Sequence, residues 1–409
     1  MKYDFTTIIN RTGMDSIAVD PANSFLYDEE IPLKYGISDH IPMWVADMNF
    51  ATCPAIPRAM IKRAEHPLYG YFNTRDEYYD EIIHWHEKRN GVQGLSREHI
   101  GYENGVLGGV VTALRVLASQ GGAVLVHSPT YIGFTFVLNE NGFHTIHSPL
   151  VRDADGIWRM DYEDMEKKIV ENKIHVAIFC SPHNPTGRVW EREEIARAME
   201  IYEKHQVYVV ADEIWSDIIL DGNHHIPTQS VSEYARNHTV ALYAPSKTFN
   251  LAGLIGSYHI IYNSWLKDRV DKESTLTHYN NPNLLSMYAA IGAYSAEGEE
   301  WLEELLQVFS GNMDFAIDYI RERFTGVTVM RPQGTYMLFL DCSEWLREHG
   351  LTTAELIRRG WEVGVDWQNG ETFRQPGSIR MNLALPLSRV QEAFDRLGRY
   401  VFNASEEDA

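Results

Sequence analysis

Cysteine is scarce in this chain of 409 residues: there are only three, Cys53, Cys180 and Cys342, and they lie far apart. No CxxC pair is present, so the spacing typical of zinc and redox motifs is missing. The 17 histidines also lack carboxylate or cysteine partners at metal-ligand spacing. We therefore expect no metal site, and we expect a reduced, cytoplasmic protein.

Basic residues are also few, with 36 Lys and Arg against 57 Asp and Glu, which gives a net charge of −21. Non-specific nucleic-acid binding and docking on anionic lipid both need a positive surface. No apolar run reaches the roughly 18–20 residues of a membrane span. The first residues contain no apolar stretch of the kind that a signal peptide has. We expect neither nucleic acid nor membrane as a partner.

The composition is otherwise that of a globular protein, with 44% hydrophobic and 23% charged residues. A chain of this length exceeds the roughly 250–300 residues at which a single core stops growing. Two domains are therefore expected.

The middle of the chain alternates between two patterns. Near-continuous apolar runs predict buried strands over residues 123–129, 175–182, 207–213 and 239–245. Residues 161–173 and 191–205 have helical spacing instead. This alternation predicts an α/β domain with a mostly parallel sheet.

The C-terminal part has a different pattern, which predicts a smaller α+β unit. It contains a long helical stretch over about 282–324, two strand-like pieces within 327–341, a helix over 352–360, and short strands near 361–367 and 378–386. The first fifty residues lack a unit of their own, and we expect them to pack on one of the two domains.

Polar residues follow three of the predicted strands, at the sheet edge where parallel α/β proteins bind ligands. Lys247 could form an imine with an aldehyde, although a lysine in a loop is more often simply solvated. Asp212 could hold a protonated heteroaromatic nitrogen, or it could cap a helix. Asn184 could donate an amide hydrogen bond, or it could only form a turn.

Two further features are weaker when taken alone. Gly105, Gly108 and Gly109 begin a helical pattern, whose first N–H groups could bind a phosphate, but no GxGxxG motif is present. Tyr131 follows the first predicted strand and could stack on a planar ring, although an ordinary core contact is the commoner role for such an aromatic residue.

Together, a phosphate cradle, an aromatic ring, an amide, a carboxylate and a lysine at successive strand ends describe a pyridoxal-phosphate (PLP) site. The chain resembles the fold-type I PLP enzymes of the class I/II aminotransferase family. The motifs that carry this resemblance are NPTG at 184–187, Asp212, and SKTFNLAG, which contains Lys247. Residues 41–56 and 69–78 also resemble the cystathionine β-lyase-like C–S lyases within that family.

The resemblance implies an aspartate aminotransferase-like fold with a large PLP-binding domain over 51–289. The segments 1–50 and 290–409 would form the smaller α+β domain. It also implies a homodimer with shared active sites, in which Tyr71 reaches the phosphate bound by the neighbouring subunit.

The resemblance also assigns roles to single residues. Lys247 would bind the cofactor covalently and later move the Cα proton of the substrate. Arg380 would bind the substrate α-carboxylate. The remaining cofactor contacts would come from the backbone of Val106 and Leu107 with the Ser246 hydroxyl (phosphate), Tyr131 (ring stacking), Asn184 (ring hydroxyl) and Asp212 (ring nitrogen).

Three residues depart from the family pattern. Trp215 replaces a tyrosine or histidine, which removes a possible partner of the ring hydroxyl. Asn49 stands where the C–S lyases have aspartate, and Ala244 stands where many relatives have a phosphate-binding serine.

The function implied is a PLP-dependent C–S β-lyase, which converts L-cystathionine or a related amino acid to a thiol, pyruvate and ammonia. An aminotransferase on the same scaffold is the first alternative, because both reactions begin with removal of the Cα proton. A regulatory binding protein that keeps the fold is the second alternative.

Overall fold

The computed structural model describes residues 1–19, 31–276 and 281–403. Its contacts group into two compact units. The large unit contains Thr52–Asn184 and Arg188–Glu303, apart from 277–280. The small unit contains Pro185–Gly187 and the described parts of Met1–Ala51 and Glu304–Ala409.

Among the described residues of the large unit, eight strands form one sheet. In chain order they are β1 (Ile100–Glu103), β2 (Ala123–Ser128), β3 (His144–Arg152), β4 (Trp158–Met160), β5 (Val176–Cys180), β6 (Tyr208–Asp212), β7 (Thr239–Tyr243) and β8 (Ser257–Ile260). Their order in the sheet is β1-β8-β7-β6-β5-β2-β3-β4. The neighbours from β7 to β3 are parallel, whereas β8, β1 and β4 join antiparallel. The predicted α/β fold with a mostly parallel sheet is confirmed.

Each of the four apolar runs that were predicted as strands contains a strand of the structure. These strands are β2, β5, β6 and β7. All residues of β5 and β7 are buried. Both faces of these strands are covered, which is why the sequence shows continuous apolar runs instead of alternation.

The large unit also contains helices, several of which pack against this sheet. They are α1 (Ala55–Ala64), α2 (Asp76–Asn90), α3 (Val106–Leu117), α4 (Ile132–Glu140), α5 (Tyr162–Asn172), α6 (Arg192–Lys204), α7 (Glu233–His238), α8 (Ser264–Leu276) and α9 (Leu284–Ala293). Val110 and Leu114 of α3, Phe134 of α4 and Val270 of α8 belong to one buried cluster with the strands. At Gly109, an added Cβ would lie 2.7 Å from a methyl carbon of Leu242 on β7, so glycine lets α3 approach the sheet.

The predicted helices over 161–173 and 191–205 correspond to α5 and α6. The Asp161 side chain caps α5 by accepting a hydrogen bond from the Asp164 N–H, 3.0 Å away. Glu191 and Glu194 form a capping box at the start of α6. These local signals are visible in the sequence.

The long stretch expected over about 282–324 is helical, but it consists of two helices, α9 and then α10 (Ala296–Arg323), and the break between them was not predicted. The break falls at Tyr294 and Ser295. The Ser295 hydroxyl donates to the Gly292 carbonyl (2.8 Å) and accepts from the Gly298 N–H (3.3 Å). These bonds replace backbone hydrogen bonds on both sides of the break.

The small unit contains an antiparallel sheet in the order Thr328–Val329, Met337–Asp341, Ser378–Asn382, Gln368–Asn369. The part of α10 from Glu304 onward also belongs to the small unit. The helices that follow it are α11 (Ser343–His349), α12 (Thr353–Glu362) and α13 (Leu387–Leu397). Ile41–Pro42 pairs in parallel with Val365–Asp366. The described part of the N-terminal segment therefore belongs to the small unit.

In the part of the chain that the structure describes, no helix has both the length and the apolar character needed to cross a bilayer. In the same ranges, no group of three or more His, Cys, Asp or Glu side chains is arranged to hold a metal ion.

Candidate active site

Asp212, the last residue of β6, is buried at the edge of the sheet. The strand register places it beside Cys180 of β5 and Leu242 of β7. Its carboxylate accepts the Ile214 N–H at 3.1 Å. Burial raises the pKa of Asp212 to about 7, while the Ile214 bond and the charge of Lys247 act in the opposite direction. A cation bound beside Asp212 would therefore stabilise its ionised form.

Asn184 is buried four residues after the end of β5. Its backbone N–H donates to Cys180 Sγ. The Ser181 N–H donates to the Asp212 carbonyl at 3.0 Å. The structure thus holds Asn184 and Asp212 at the ends of neighbouring strands.

Lys247 lies in a turn that follows β7 and is half-buried. The next two residues are fixed in the core. The hydroxyl of Thr248 donates to Asp217 Oδ2 at 2.8 Å, and the ring of Phe249 stacks on Trp301 with centroids 5.6 Å apart. The contacts of these two residues therefore hold the backbone of Lys247 in place.

Trp215 lies in the turn that follows Asp212, and it is almost completely buried. The Nζ atom of Lys247 lies 5.8 Å from the centroid of the indole ring. The structure thus brings Trp215, Asp212 and Lys247 together in the large unit.

The N-terminus of α3 has the character expected of a phosphate cradle. Gly105 is its N-cap residue, with φ of 77°, and none of the described side chains caps the helix. No acidic residue lies in its first turn, which begins with Val106 and Leu107. These N–H groups, together with the helix dipole, suit an anion.

Tyr131 is the N-cap residue of α4, and its ring meets Phe134 edge to face at 5.3 Å. A Cβ added at Gly133 would overlap the Tyr131 ring and would lie 3.0 Å from Leu107 Cδ1. Gly133 therefore leaves space in which Tyr131 approaches the beginning of α3.

Two predicted cofactor contacts have weaker structural support. Ser246 is half-buried, and its carbonyl accepts the Leu251 N–H at 2.9 Å. Tyr71 is fully exposed within an irregular segment of the large unit that also exposes Leu68 and Tyr69.

Arg380 lies in the small unit on the strand Ser378–Asn382 and is buried. Its Nη2 atom donates to the Trp44 carbonyl (3.0 Å) and to Gln368 Oε1 (2.6 Å). The guanidinium carbon lies 4.5 Å from the centroid of the Phe373 ring. These contacts fix the orientation of the guanidinium group.

Sequence reasoning missed two acidic residues beside the predicted site. Asp217 accepts hydrogen bonds from Thr248 and from Trp85 Nε1 (2.9 Å). Glu213 is completely buried and accepts bonds from three groups: His225 Nε2, the Thr228 N–H and the Tyr243 hydroxyl. Burial opposes its ionisation, yet these partners hold the pKa of Glu213 below its usual value. The signal was present, because residues 212–217 contain three acids directly after a buried strand.

The two other departures from the family pattern also have defined surroundings. Asn49, in the small unit, accepts a hydrogen bond through Oδ1 from Arg11 Nη1 at 3.1 Å, and Arg11 also pairs with Asp47. Ala244 follows β7 and is buried in the apolar cluster of the large unit.

The large unit therefore combines three chemical functions. The beginning of α3 suits an anion, the buried carboxylate of Asp212 suits a cation, and the amine of Lys247 suits an aldehyde. The donor set fits a phosphorylated aromatic aldehyde with a basic ring nitrogen, which is the description of PLP.

Comparison with known proteins agrees with this geometry. The family model for aminotransferase class I and II matches residues 39–397. Cystathionine beta-lyase PatB of Bacillus subtilis (strain 168) is 33% identical over 366 residues, which are 89% of this chain and 93% of PatB.

Two solved structures are also similar. A PLP-bound protein of Clostridium difficile 630, provisionally described as an aminotransferase, has a TM-score of 0.88 and 34% identity, with 97% of this chain and 99% of that chain covered. A PLP-bound C–S lyase from Staphylococcus hominis has a TM-score of 0.87 and 29% identity, with 97% and 98% covered. The chain belongs to the class I and II aminotransferase family.

Proposed function

We propose that this protein is a PLP-dependent C–S lyase that removes a sulfur substituent from Cβ of an amino acid such as L-cystathionine. The products are a thiol and 2-aminoacrylate, and water hydrolyses the released 2-aminoacrylate to pyruvate and ammonia. The observation that carries the proposal is the position of Lys247 beside the buried carboxyl of Asp212 at adjoining strand ends. The likeness to PatB and to the C–S lyase of Staphylococcus hominis supports this choice of reaction.

The residues of the large unit fit PLP. The pKa of about 7 at Asp212 is that of a carboxyl buried without sufficient positive charge around it, and a protonated ring nitrogen supplies that charge. The contacts that we assign are the N–H groups of Val106 and Leu107 with the Ser246 hydroxyl to the phosphate, Asn184 to the ring hydroxyl, and Tyr131 to the ring face.

Bound PLP supplies an electron sink for the pair released when the Cα–H bond breaks. The amine of Lys247 takes the proton as a general base. Asp212 holds the balancing positive charge on the ring nitrogen. The C–S bond then breaks with its pair on sulfur, Cα and Cβ become doubly bonded, and the proton on Lys247 Nζ is available to sulfur. The free amine is thereby restored.

Arg380 binds the substrate α-carboxylate in this proposal. Its guanidinium group is oriented by the Trp44 carbonyl and by Gln368 before any substrate arrives. A planar guanidinium group can bind a carboxylate through two parallel hydrogen bonds. Pre-orientation lowers the entropic cost of binding.

We propose that the large unit is the PLP-binding domain, predicted as 51–289, and that the small unit is the second domain, predicted as 1–50 with 290–409. We also propose a cytoplasmic location, because the three cysteines are buried free thiols, as expected in a reducing compartment.

We further propose a homodimer in which Tyr71 serves the site of the partner subunit. The full exposure of Tyr71, together with its exposed neighbours Leu68 and Tyr69, supports this assembly. Tyr71→Ala and Lys247→Ala should each be inactive. Refolding them as a mixture should restore about a quarter of the activity, since half of the dimers then contain one intact site. A mixture that stays inactive contradicts shared sites.

The function is tested by incubating the purified protein with L-cystathionine and no keto acid. The lyase releases pyruvate over many turnovers. Lys247→Ala should lose this activity, because no other residue is assigned to remove the Cα proton. A variant that still turns over at the wild-type rate contradicts the mechanism.

An aminotransferase is the second candidate, favoured by the family itself and by the description of the Clostridium difficile protein. In the same assay an aminotransferase completes one turnover and stops with pyridoxamine phosphate. A panel of β-substituted amino acids, scored for pyruvate and for pyridoxamine phosphate, separates the two functions.

A further inference from the structure

Trp215 stands beside the proposed base of the reaction. The residue is 2% exposed, and Lys247 Nζ lies 5.8 Å from the centroid of its ring. In the family pattern this position holds a tyrosine or histidine, so the substitution would only remove a polar partner of the cofactor. The structure gives the indole ring a contact of its own, with the amine of Lys247.

The contact between the two residues is held by their backbones. The turn that carries Trp215 is closed by hydrogen bonds from the Ser216 N–H to the Glu213 carbonyl and from the Ile218 N–H to the Trp215 carbonyl, both 3.0 Å. The Asp217 carboxylate of the same turn accepts the Thr248 hydroxyl at 2.8 Å. The turn that carries Trp215 and the turn that carries Lys247 are therefore joined by this hydrogen bond as well as by the contact between Trp215 and Lys247.

The face of an indole ring carries negative electrostatic potential and attracts an ammonium group within about 6 Å of its centroid. The attraction is stronger where water is excluded, as it is at the buried ring of Trp215. The charge of Lys247 also lowers the pKa of the neighbouring Asp212 carboxyl, so the two groups attract each other. The ring of Trp215 and the carboxylate of Asp212 therefore both attract a positive charge at Nζ.

We propose that Trp215 is a positioning residue that holds Lys247 Nζ as a cation against its ring and thereby favours loss of the β-substituent over transamination. This inference rests on the proposed function, because it concerns the step that separates the two candidate reactions.

The two reactions place different demands on the proton that Lys247 has taken from Cα. Transamination requires Nζ to deliver it to a carbon atom of the cofactor. In elimination the C–S bond breaks with its pair on sulfur, while the pair of the former Cα–H bond forms the Cα–Cβ double bond. A thiol with an ordinary pKa of about 8.5 can leave as thiolate and take the proton afterwards. An ammonium group stabilised by the indole ring is a weaker acid, so it transfers its proton to carbon more slowly. Elimination is slowed less, because the thiolate can leave before it takes up a proton.

The charge on Lys247 is tested without any turnover. In the full chain freed of cofactor, the reductive methylation of Lys247 is followed against pH by peptide mass, for the wild type and for Trp215→Leu and Trp215→Phe. We expect the ionisation midpoint to fall by roughly half to one pH unit in Trp215→Leu and by less in Trp215→Phe, which keeps a weaker aromatic face. Asp212 and Asp217 are retained in both variants. Midpoints equal to that of the wild type overturn the proposal.

The steering is tested in the holoenzyme by the ratio of pyruvate to pyridoxamine phosphate formed from one substrate. We expect this ratio to fall at least about threefold in Trp215→Leu and less in Trp215→Phe. If both variants give the wild-type ratio of pyruvate to pyridoxamine phosphate, the proposal that Trp215 favours elimination is overturned. If Trp215→Leu does not fold, as judged by circular dichroism, Trp215→Phe decides both measurements. A wild type that makes no pyruvate from any sulfur amino acid refutes the proposed function, whereas the methylation experiment still decides the contact.

Discussion

The hydroxyl of Thr248 donates a 2.8 Å hydrogen bond to Asp217 Oδ2, and both side chains are buried. Thr248 directly follows Lys247, whereas Asp217 belongs to the turn after Asp212. Trp85 Nε1 donates to the other oxygen of Asp217 at 2.9 Å. This buried carboxylate therefore ties the lysine turn to the strand end that carries the proposed partner of the cofactor nitrogen.

We expect Thr248→Val to lower kcat with little change in KM. The substitution keeps the shape of the side chain but removes the hydrogen bond, which leaves Asp217 with one donor fewer and allows the Lys247 backbone to shift. The expected cost is about 1–3 kcal/mol of unfolding free energy, with roughly a tenfold loss of kcat because the base is displaced. Urea unfolding and steady-state kinetics measure both. Thr275→Val, at an exposed threonine of α8, is the control and should change neither. A Thr248→Val enzyme with wild-type kcat contradicts the positioning role.

The cofactor-free protein should lose stability as the pH rises from about 4 to 7. Burial raises the pKa of Asp212 from 3.8 to about 7, so the folded state binds more protons than the unfolded state in that interval. Ionising the folded carboxyl at higher pH then costs on the order of a few kcal/mol. Asp212→Asn should remove this part of the pH dependence, as measured by urea unfolding at pH 5 and pH 8. The same pH dependence in both proteins would exclude Asp212 as its source.

Much of the fold and part of the site could be predicted from sequence, because their signals are local. The strands β5, β6 and β7 are continuous apolar runs, and Asp212 and Lys247 interrupt that pattern at strand ends. The break between α9 and α10 was not predicted, because the hydroxyl of Ser295 decides it within an otherwise helical pattern.

Contacts between residues that are far apart in the sequence could not be predicted either. The hydrogen bond between Asp217 and Thr248 joins residues 31 positions apart. Nothing in the identity of either residue predicts that the other is its partner. The contact of Trp215 with Lys247 is of the same kind. Sequence alone identified Trp215 as unusual, but the packing of two turns was needed to give it a role.

His259 should stabilise the fold in a way that is lost at high pH. It is fully buried, with Nδ1 2.7 Å from Glu103 Oε1 and Nε2 3.4 Å from Asp271 Oδ1. Burial by itself lowers the pKa of His259, but the nearby Asp271 carboxylate and the hydrogen bond to Glu103 outweigh it, so the pKa is raised above 6.5. The stabilisation is therefore complete below pH 6.5 and is lost as the pH rises through the higher folded-state value.

We expect His259→Gln to cost about 3–5 kcal/mol at pH 6, because Glu103 is left buried without its partner. The cost should shrink as the pH rises. His205→Gln is the matched control: His205 pairs with Glu166 at 2.8 Å, but both side chains are partly exposed, so its cost should stay below about 1 kcal/mol. Urea unfolding at pH 6 and pH 9 measures both variants. A His259→Gln cost that does not change with pH would mean that packing, not charge, is responsible.

Gly133→Ala should weaken cofactor binding by displacing the Tyr131 ring. An added Cβ would overlap that ring and would lie 3.0 Å from Leu107 Cδ1, so both the proposed stacking residue and the beginning of α3 must move. We expect about a tenfold loss of PLP affinity, measured by titrating the cofactor-free protein and following visible absorbance. Gly311→Ala in α10, where no neighbouring group of the described residues lies within 4 Å of the added Cβ, should leave the affinity unchanged. If displacement of the ring is the cause, Gly133→Ala will cost much less affinity in a Tyr131→Ala background. An equal loss in both backgrounds would place the effect in α3 instead.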